Sequence, residues 1–467
     1  MFANYDATGL KGLIDQREIT QEEVVEHYIG QIEKLNPKIN AFVHTMFEEA
    51  RAQTGENATQ TGPLRGLPFA VKDLNPVKGH PYTNGSKLQQ NYVAEADDLI
   101  VERFRKAGLV FLGKTNTPEF GFLPTTEPEL FGPTLNPWNH AFSPGGSSGG
   151  AAAAVVAGMV PFAHASDGGG SIRIPASCTG LFGLKPSRGL LPYSPYVNQI
   201  ATSHAVTKSV RDSATLLDAL KGKGPYELYP SVSGEESYVD AINRPFYKLK
   251  IATTIDWNGQ AYVDSETKKA HAKTVAMLEK LGHEVEEVKV DFNLDEFAKS
   301  FIDVWMGSGS VVIKHLAQMM QVKPSSENLE KLSEMVLRRG EEMSAQQYEE
   351  ARVKLYFASQ KLIALHEQYD LLLSPVLNKL PLKTGEANHT SEDAFYRNFI
   401  DYCSFTPLTN ISGQPSMSVP VHWSENGLPV GMQFTGPLGS ESLLFQLAGQ
   451  IEQAYPWWDQ YKILYRN

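Results

Sequence analysis

Apolar residues recur at helical spacing in several segments of the chain, and most of these segments are bounded by residues that start or stop helices. Thr20 and Glu23 form a capping-box pattern, and apolar residues from Val24 to Ile32 then repeat every three to four positions. The same pattern predicts helices over residues 98–106, 149–157, 265–281 and 441–453. A glycine follows each of the first three within two residues, as is common at helix ends.

Short apolar or alternating runs lie between these helices and predict strands. One such run ends at Lys72, and others cover residues 109–112, 159–163, 284–290, 369–373 and 430–434. Strands that alternate with helices in this way indicate an α/β fold with a mostly parallel or mixed sheet.

Two stretches, 222–245 and 375–395, are polar and rich in residues that break regular structure. They are either long loops around one sheet or the borders of an inserted helical region. Because no repeat and no low-complexity linker divides the chain, we expect one domain over residues 1–467 with a variable, substrate-facing middle at about 222–395.

Composition narrows the classes of protein to consider. Of 467 residues, 42% are hydrophobic and 20% are charged, as in soluble globular proteins, and the net charge of −11 argues against nucleic-acid or anionic-membrane binding. The two cysteines, Cys178 and Cys403, are too few for a secreted disulfide fold of this size. The N-terminal residues lack the pattern of a signal peptide, so we expect a cytoplasmic protein that binds neither nucleic acid nor membrane.

Two loops rich in glycine and serine are the densest candidates for chemistry, Pro144–Gly150 (PGGSSGG) and Ser166–Arg173 (SDGGGSIR). Glycine backbones can approach a ligand closely and direct several N–H groups at one point, although such loops can also be ordinary surface turns. Neither loop ends in the Gly-Lys-Ser/Thr that a phosphate-binding P-loop requires.

The first loop also contains Gly-x-Ser-x-Gly at 145–149, the pattern of a nucleophile elbow. An elbow needs a strand directly before it, and residues 138–144 read as a loop. Its acid and base would be Asp370 and His422, which lie in no supporting motif. A metal site is weaker still, because no histidine forms a recognisable ligand pair with a carboxylate.

A third interpretation uses both loops together. Ser147 and Ser171 are joined by one predicted helix and one predicted strand, which can return the chain so that both hydroxyls meet at an edge of the sheet. A serine needs a base to become nucleophilic. Lys72 is the candidate, because burial at the end of an apolar strand lowers the pKa of a lysine; alternatively, Lys72 is a surface residue paired with Asp73.

The block from residue 145 to residue 188 closely resembles the defining stretch of the amidase signature family. Matching segments also occur at 64–73, 132–138, 409–415 and 427–433. The resemblance implies a single α/β domain with a large twisted mixed sheet enclosed by helices, which hydrolyses carboxamides without a metal or organic cofactor. It also implies a Ser-Ser-Lys triad, with Ser171 as nucleophile, Ser147 as the bridging serine and Lys72 as base.

The same resemblance assigns supporting roles around the triad. The backbone N–H groups of Gly168, Gly169, Gly170 and Ser171 match the oxyanion hole of the family. Asp167 and Arg173 match residues that support this loop. The family holds its bridging serine after a cis peptide, so we predict one between Gly146 and Ser147. Ser148 is the nearest competitor for the bridging role, and Cys178 is interpreted as a packing residue.

Within the family, residues 165–175 are most similar to 6-aminohexanoate cyclic dimer hydrolases and related bacterial amidases. The glutamine-hydrolysing A subunit of tRNA amidotransferases usually has Thr in place of Gly168 and Gln in place of Ile174, so this alternative is less favoured. A second alternative is a silent binding or scaffold relative, but all three triad residues are present. Phe301–Met320 either lines an apolar substrate pocket, with Trp305 as a wall, or is a buried helix. We expect the substrate to be a small-molecule amide. We also expect a possible homodimer.

Overall fold

The computed structural model describes residues 2, 5–55, 61–192, 200–222, 224, 229, 237–245, 247–387, 389 and 391–465. Within them the α-helices are α1 Ala7–Asp15, α2 Gln21–Ile39, α3 Phe47–Thr54, α4 Leu99–Lys106, α5 Gly149–Val156, α6 Arg173–Thr179, α7 Val210–Leu220, α8 Tyr238–Ile242, α9 Ser265–Lys280, α10 Leu294–Met320, α11 Lys331–Glu342, α12 Ala345–Leu365, α13 Glu392–Tyr402, α14 Pro407–Ser412, α15 Glu441–Ala454 and α16 Trp458–Leu464. The strands are β1 Phe42–Thr45, β2 Pro68–Lys72, β3 Val110–Thr115, β4 Phe162–Asp167, β5 Phe182–Lys185, β6 Thr202–Thr207, β7 Lys250–Thr253, β8 Glu284–Glu287, β9 Leu371–Pro375, β10 Ser416–Trp423 and β11 Pro429–Thr435.

The central feature is an eight-stranded sheet in the order β4-β6-β5-β10-β11-β9-β7-β8. Along this order, each strand from β4 through β9 is antiparallel to its neighbour. The last three strands, β9, β7 and β8, run parallel to one another. The predicted α/β fold with a large mixed sheet in one domain is therefore confirmed. The middle of the chain joins this same sheet through β7, β8 and β9, while its variability stays a prediction.

A second, three-stranded sheet in the order β1-β3-β2 was not anticipated, and it positions the first functional residue. Strand β2 lies parallel to β3 and is buried along its whole length, with Lys72 opposite Thr115. The apolar run before Lys72 has no polar side to turn to water, so the strand places the lysine in the interior.

The predicted helices are present to within a few residues, because their caps are local. Thr20 and Glu23 form both hydrogen bonds of the capping box. The predicted strand at 159–163 is shifted, since β4 runs from Phe162 to Asp167. Pro161, which has no N–H to donate to a neighbouring strand, lies directly before it. The predicted strand at 284–290 ends early, at Glu287. Part of the polar stretch 222–245 lies outside the described residues.

Two apolar clusters form the core. One packs both sheets against the helices around them, and the other surrounds α10, α12 and α13. Over the described ranges, no helix combines the length and the apolar character that a membrane span requires.

Candidate active site

Lys72 is completely buried and contacts serines. Its Nζ lies 2.7 Å from Ser147 Oγ and 3.3 Å from Ser166 Oγ. Burial lowers the pKa of Lys72 from 10.5 to about 7, although the nearby Asp167 carboxylate opposes the shift. Asp73 instead pairs with the buried Lys114 at 2.5 Å, so the alternative of a surface Lys72 paired with Asp73 is wrong.

Ser147 reaches Lys72 from a tightly packed loop. The peptide bond between Gly146 and Ser147 is cis, as predicted. A Cβ atom on Gly146 would lie 2.5 Å from the carbonyl oxygen of Thr125, so only glycine fits there. Ser148 Oγ contacts the backbone of Ser166, donating to its carbonyl at 3.3 Å, and not Lys72. The structure thus places Ser147, and not its neighbour, against the lysine.

The second loop is organised around the Asp167 carboxylate. Asp167 accepts hydrogen bonds from the N–H groups of Gly170 and Ile172 at 2.7 and 3.2 Å, and from Arg173 Nε and Nη2 at 2.9 Å each. Burial alone would raise the pKa of Asp167, but the charge and hydrogen bonds of the Arg173 guanidinium hold it well below its usual range. Asp167 and Arg173 therefore form a buried ion pair that fixes the course of the loop.

Arg173 also ties this loop to the C-terminal part of the chain. Its Nη1 donates to Thr409 Oγ1 at 2.6 Å and to Gln433 Oε1 at 2.7 Å, and its Nη2 donates to Asn410 Oδ1 at 2.6 Å. These partners were not predicted as site residues, although they lie in the matching segments 409–415 and 427–433. The only sequence signal was that they lie within these family-like segments.

The amides of the second loop do not all face the same way. The N–H group of Gly170 is committed to Asp167. The N–H groups of Gly168, Gly169 and Ser171 have no acceptor among the described residues. Of the four amides expected to form an oxyanion hole, three therefore remain free to do so within the described part of the chain.

Ser171 and Gly169 border a narrow apolar pocket of about 530 Å³, counted out to its mouth. Its lining residues are Gly121, Phe122, Leu123, Pro124, Gly169, Ser171, Ile174, Phe301, Trp305, His389, Phe395, Asn398, Phe399, Cys403 and Pro407. Burial lowers the pKa of His389 to about 4, so the described wall carries no charge at neutral pH. The rings of Phe301 and Trp305 stack with centroids 5.5 Å apart.

Phe301–Met320 therefore fits both earlier interpretations. Its N-terminal part lines the pocket through Phe301 and Trp305, while Ile313 and Leu316 are buried in the core. Ser147 lies close to this pocket, since a Cβ atom on the pocket residue Gly121 would be 3.2 Å from Ser147 Oγ.

The residues of the nucleophile-elbow and metal-site hypotheses do not lie together at this pocket. Asp370 accepts a hydrogen bond from the N–H of Lys250, and His422 pairs with Glu266 at 3.2 Å, so the nucleophile-elbow interpretation is wrong. Among the described residues, no group of acidic, histidine or cysteine side chains could hold a metal ion. Cys178 is buried, with its Sγ 3.6 Å from Tyr402 Oη, as expected of a packing residue.

Comparison with known proteins agrees with this geometry. The family model for amidases matches residues 23–445. The 6-aminohexanoate-cyclic-dimer hydrolase of Paenarthrobacter ureafaciens is 34% identical over 471 residues, covering 97% of this chain and 95% of its own. A solved structure of 6-aminohexanoate cyclic dimer hydrolase matches with a TM-score of 0.93 at 32% identity over 98% of both chains. A solved structure of a bacterial aryl acylamidase matches with a TM-score of 0.89 at 27% identity, again over 98% of both chains. This chain therefore belongs to the amidase family, whose members are hydrolases that act on the carbon–nitrogen bonds of amides.

Proposed function

We propose that this protein hydrolyses carboxamides through an acyl-enzyme on Ser171, with Ser147 as proton relay and Lys72 as base. The observation that carries the proposal is the 2.7 Å contact between the fully buried Lys72 Nζ and Ser147 Oγ, beside a pocket that exposes Ser171. A lysine whose pKa is lowered to about 7 has a substantial neutral fraction at physiological pH, and only the neutral amine can accept a proton.

In the proposed reaction, Ser171 Oγ attacks the amide carbonyl carbon while its proton passes to Ser147 and the proton of Ser147 passes to Lys72 Nζ. The carbonyl oxygen becomes an oxyanion facing the amides of Gly168, Gly169 and Ser171. Each such donor contributes roughly 10²–10³ in rate in well-studied enzymes. The tetrahedral intermediate then collapses, and the proton returns from Lys72 through Ser147 to the leaving nitrogen.

Water completes the cycle by the same route. It attacks the acyl carbon as Ser147 and Lys72 remove its proton, and Ser171 leaves as the alcohol. The base, relay and nucleophile are all side chains of this chain, so the proposed mechanism uses no cofactor. The Asp167–Arg173 ion pair supports it by holding the loop amides in place, and does not take part in proton transfer.

The pocket favours an uncharged, apolar amide. Its described wall of aromatic and aliphatic side chains offers no charged partner for the ammonium and carboxylate groups of free glutamine, and leaving those groups unpaired would be costly. A Cβ atom on Gly168 would lie 3.3 Å from the Trp305 ring, so the threonine usual in the glutamine-hydrolysing relatives would crowd this wall. The relative that hydrolyses 6-aminohexanoate cyclic dimer guides the choice of test compounds.

Labelling with a fluorophosphonate probe, read by intact mass, tests the nucleophile. We expect one adduct on the wild type and on Ser148→Ala, and none on Ser171→Ala. Equal labelling of the wild type and Ser171→Ala, or no labelling of the wild type, would remove Ser171 from the mechanism. Hydrolysis should then be measured on linear, cyclic and aryl amides and on glutamine. We expect glutamine to be the poorest substrate. If the wild type hydrolysed none of these amides, a silent binding relative would be favoured.

The cytoplasmic location and the homodimer remain predictions. Sedimentation of the purified protein would test the second.

A further inference from the structure

A second groove lies away from the proposed active site and is lined by basic side chains. It is bordered by α2, by α16 and by the C-terminal end of α5. Its volume is about 1460 Å³, counted out to its open side. We call it the basic groove and define it by Lys34, Lys38, Lys208, His27 and His140. No aspartate or glutamate is among its described lining residues, which is unusual on a chain of net charge −11.

Lys208 is the informative member of the groove. Its side chain is only 1% exposed, yet the ammonium has no hydrogen bond and no ion pair with any described residue. It lies over the faces of two aromatic rings, Tyr465 at 5.1 Å and Trp458 at 6.0 Å. Aromatic faces stabilise a cation only in part, so the ammonium of Lys208 still attracts an anion that enters the groove.

The described side chains that line the groove carry positive charge and no negative charge. Helices α2 and α5 end beside it, and each C-terminus contributes a partial charge of about −0.5. Three lysines contribute positive charge to the described lining, while Asp6 and Asp212 act on the lining residue Tyr28 from outside the groove. Burial lowers the pKa of both His27 and His140, and nearby lysines, Lys208 and Lys38 respectively, lower them further. Both histidines would therefore gain protons if a negative ligand entered.

We propose that the basic groove binds a multivalent oxyanion of the phosphate class, either free phosphate or a phosphate monoester, with Lys208 as its buried anchor. Lys34 and Lys38, one turn apart on α2, are exposed and line the same groove. Lysine suits this role, because its ammonium is a compact point charge with three rotatable donors. The eight-residue helix α5, about 12 Å long, separates the groove from Ser147, so the proposal does not depend on the amidase mechanism.

Calorimetric titration of the full-length protein tests the site. Sodium phosphate and phenyl phosphate are titrated separately at an ionic strength held constant with sodium chloride, because surface charges alone respond to salt. We expect saturable binding at one site, weakened roughly tenfold or more in Lys34→Ala/Lys38→Ala and abolished in Lys208→Met. Tighter binding of phenyl phosphate identifies a phosphate monoester as the ligand, and equal affinities identify free phosphate.

The matched control is Lys268→Ala/Lys280→Ala. Both lysines are exposed on α9, and Lys280 occupies the last turn of its helix, as Lys38 does in α2. This variant should bind both compounds as the wild type does. The Lys34→Ala/Lys38→Ala variant keeps the test decisive if Lys208→Met fails to fold. No saturable heat with the wild type, or equal affinity in the wild type and Lys34→Ala/Lys38→Ala, would overturn the proposal.

Discussion

The burial that suits Lys72 to the proposed role of base should also lower the stability of the fold, and this effect can be measured. Burial lowers the pKa of Lys72 from 10.5 to about 7, and each tenfold change in acidity corresponds to about 1.4 kcal/mol. Below pH 7 the wild type therefore loses roughly 5 kcal/mol of unfolding free energy by holding this lysine in its interior.

The sign of the pH dependence follows from proton binding. Between pH 7 and pH 10.5 the unfolded chain holds a proton on Lys72 that the folded protein has released. Because the unfolded state binds more protons, the free energy of unfolding rises with pH across this window. The penalty is complete below about pH 7 and absent above about pH 10.5.

Lys72→Met keeps most of the side-chain length and removes the charge. The variant loses the contact with Ser147, worth roughly 1 kcal/mol, so the net gain near pH 6 is roughly 3–4 kcal/mol. At about 2.1 cal/mol/K for each of 467 residues, 1 kcal/mol corresponds to about 1 °C in Tm. Scanning calorimetry from pH 6 to pH 10 should therefore show the variant melting about 3–4 °C higher at pH 6, an advantage that disappears by pH 10, with amidase activity lost throughout.

Lys114→Met is the matched control, since Lys114 is equally buried on the adjacent strand but paired with Asp73. Its removal leaves a carboxylate buried without its partner, so this variant should lose about 3–5 kcal/mol of stability. If Lys72→Met melted lower than the wild type at pH 6, or kept the same advantage at pH 6 and pH 10, folding would not lower the pKa of Lys72. The lysine would then stay charged at neutral pH and could not serve as the base.

Three further predictions concern the catalytic site. For a neutral amide, kcat/KM should rise with pH and level off above an apparent pKa of about 7, because only neutral Lys72 accepts a proton; a flat profile from pH 5.5 to pH 8 would contradict this. In steady-state assays, Ser147→Ala should lower kcat by about 10²–10⁴. Ser148→Ala loses only contacts to the backbone of Ser166, so its kcat should stay within about tenfold of the wild type. Comparable losses of kcat in the two variants would argue against a dedicated relay. Arg173→Met leaves Asp167 buried without its counter-ion, so the variant should lose about 3–5 kcal/mol of unfolding free energy and about 3–5 °C in Tm. An unchanged Tm would show that the ion pair does not hold the loop.

The parts of the fold that the sequence predicts well depend on local rules. The capping box at Thr20 and the helical spacing after it involve residues within one or two turns of each other. Strand β1 is only four residues long and is held by pairing with β3, about seventy positions away, so no local pattern marks it. The three-stranded sheet could not be derived for the same reason, because its pairing is not local.

The same distinction applies to the site. Ser147 and Ser171 lie in glycine-rich loops that are visible in the sequence, and the family resemblance assigns them to one mechanism. The local sequence could not decide whether Lys72 pairs with Asp73, because the answer depends on Lys114, which reaches Asp73 from the neighbouring strand. The contacts of Arg173 with residues more than 230 positions away were equally beyond local reasoning.

Three buried lysines show why a lowered pKa does not by itself identify a base. Burial lowers the pKa of Lys72, Lys114 and Lys185 alike, and for both Lys72 and Lys185 the value is about 7. Lys114 is held by Asp73, and the Nζ of Lys185 contacts the carbonyl oxygen of Pro186 at 3.1 Å, which cannot give up a proton. Of the three, only Lys72 has hydroxyl groups of described residues within hydrogen-bond distance, and it lies beside a pocket lined by a further serine. Burial therefore lowers the pKa at all three positions, and the contact with Ser147 distinguishes the lysine that we propose as the base.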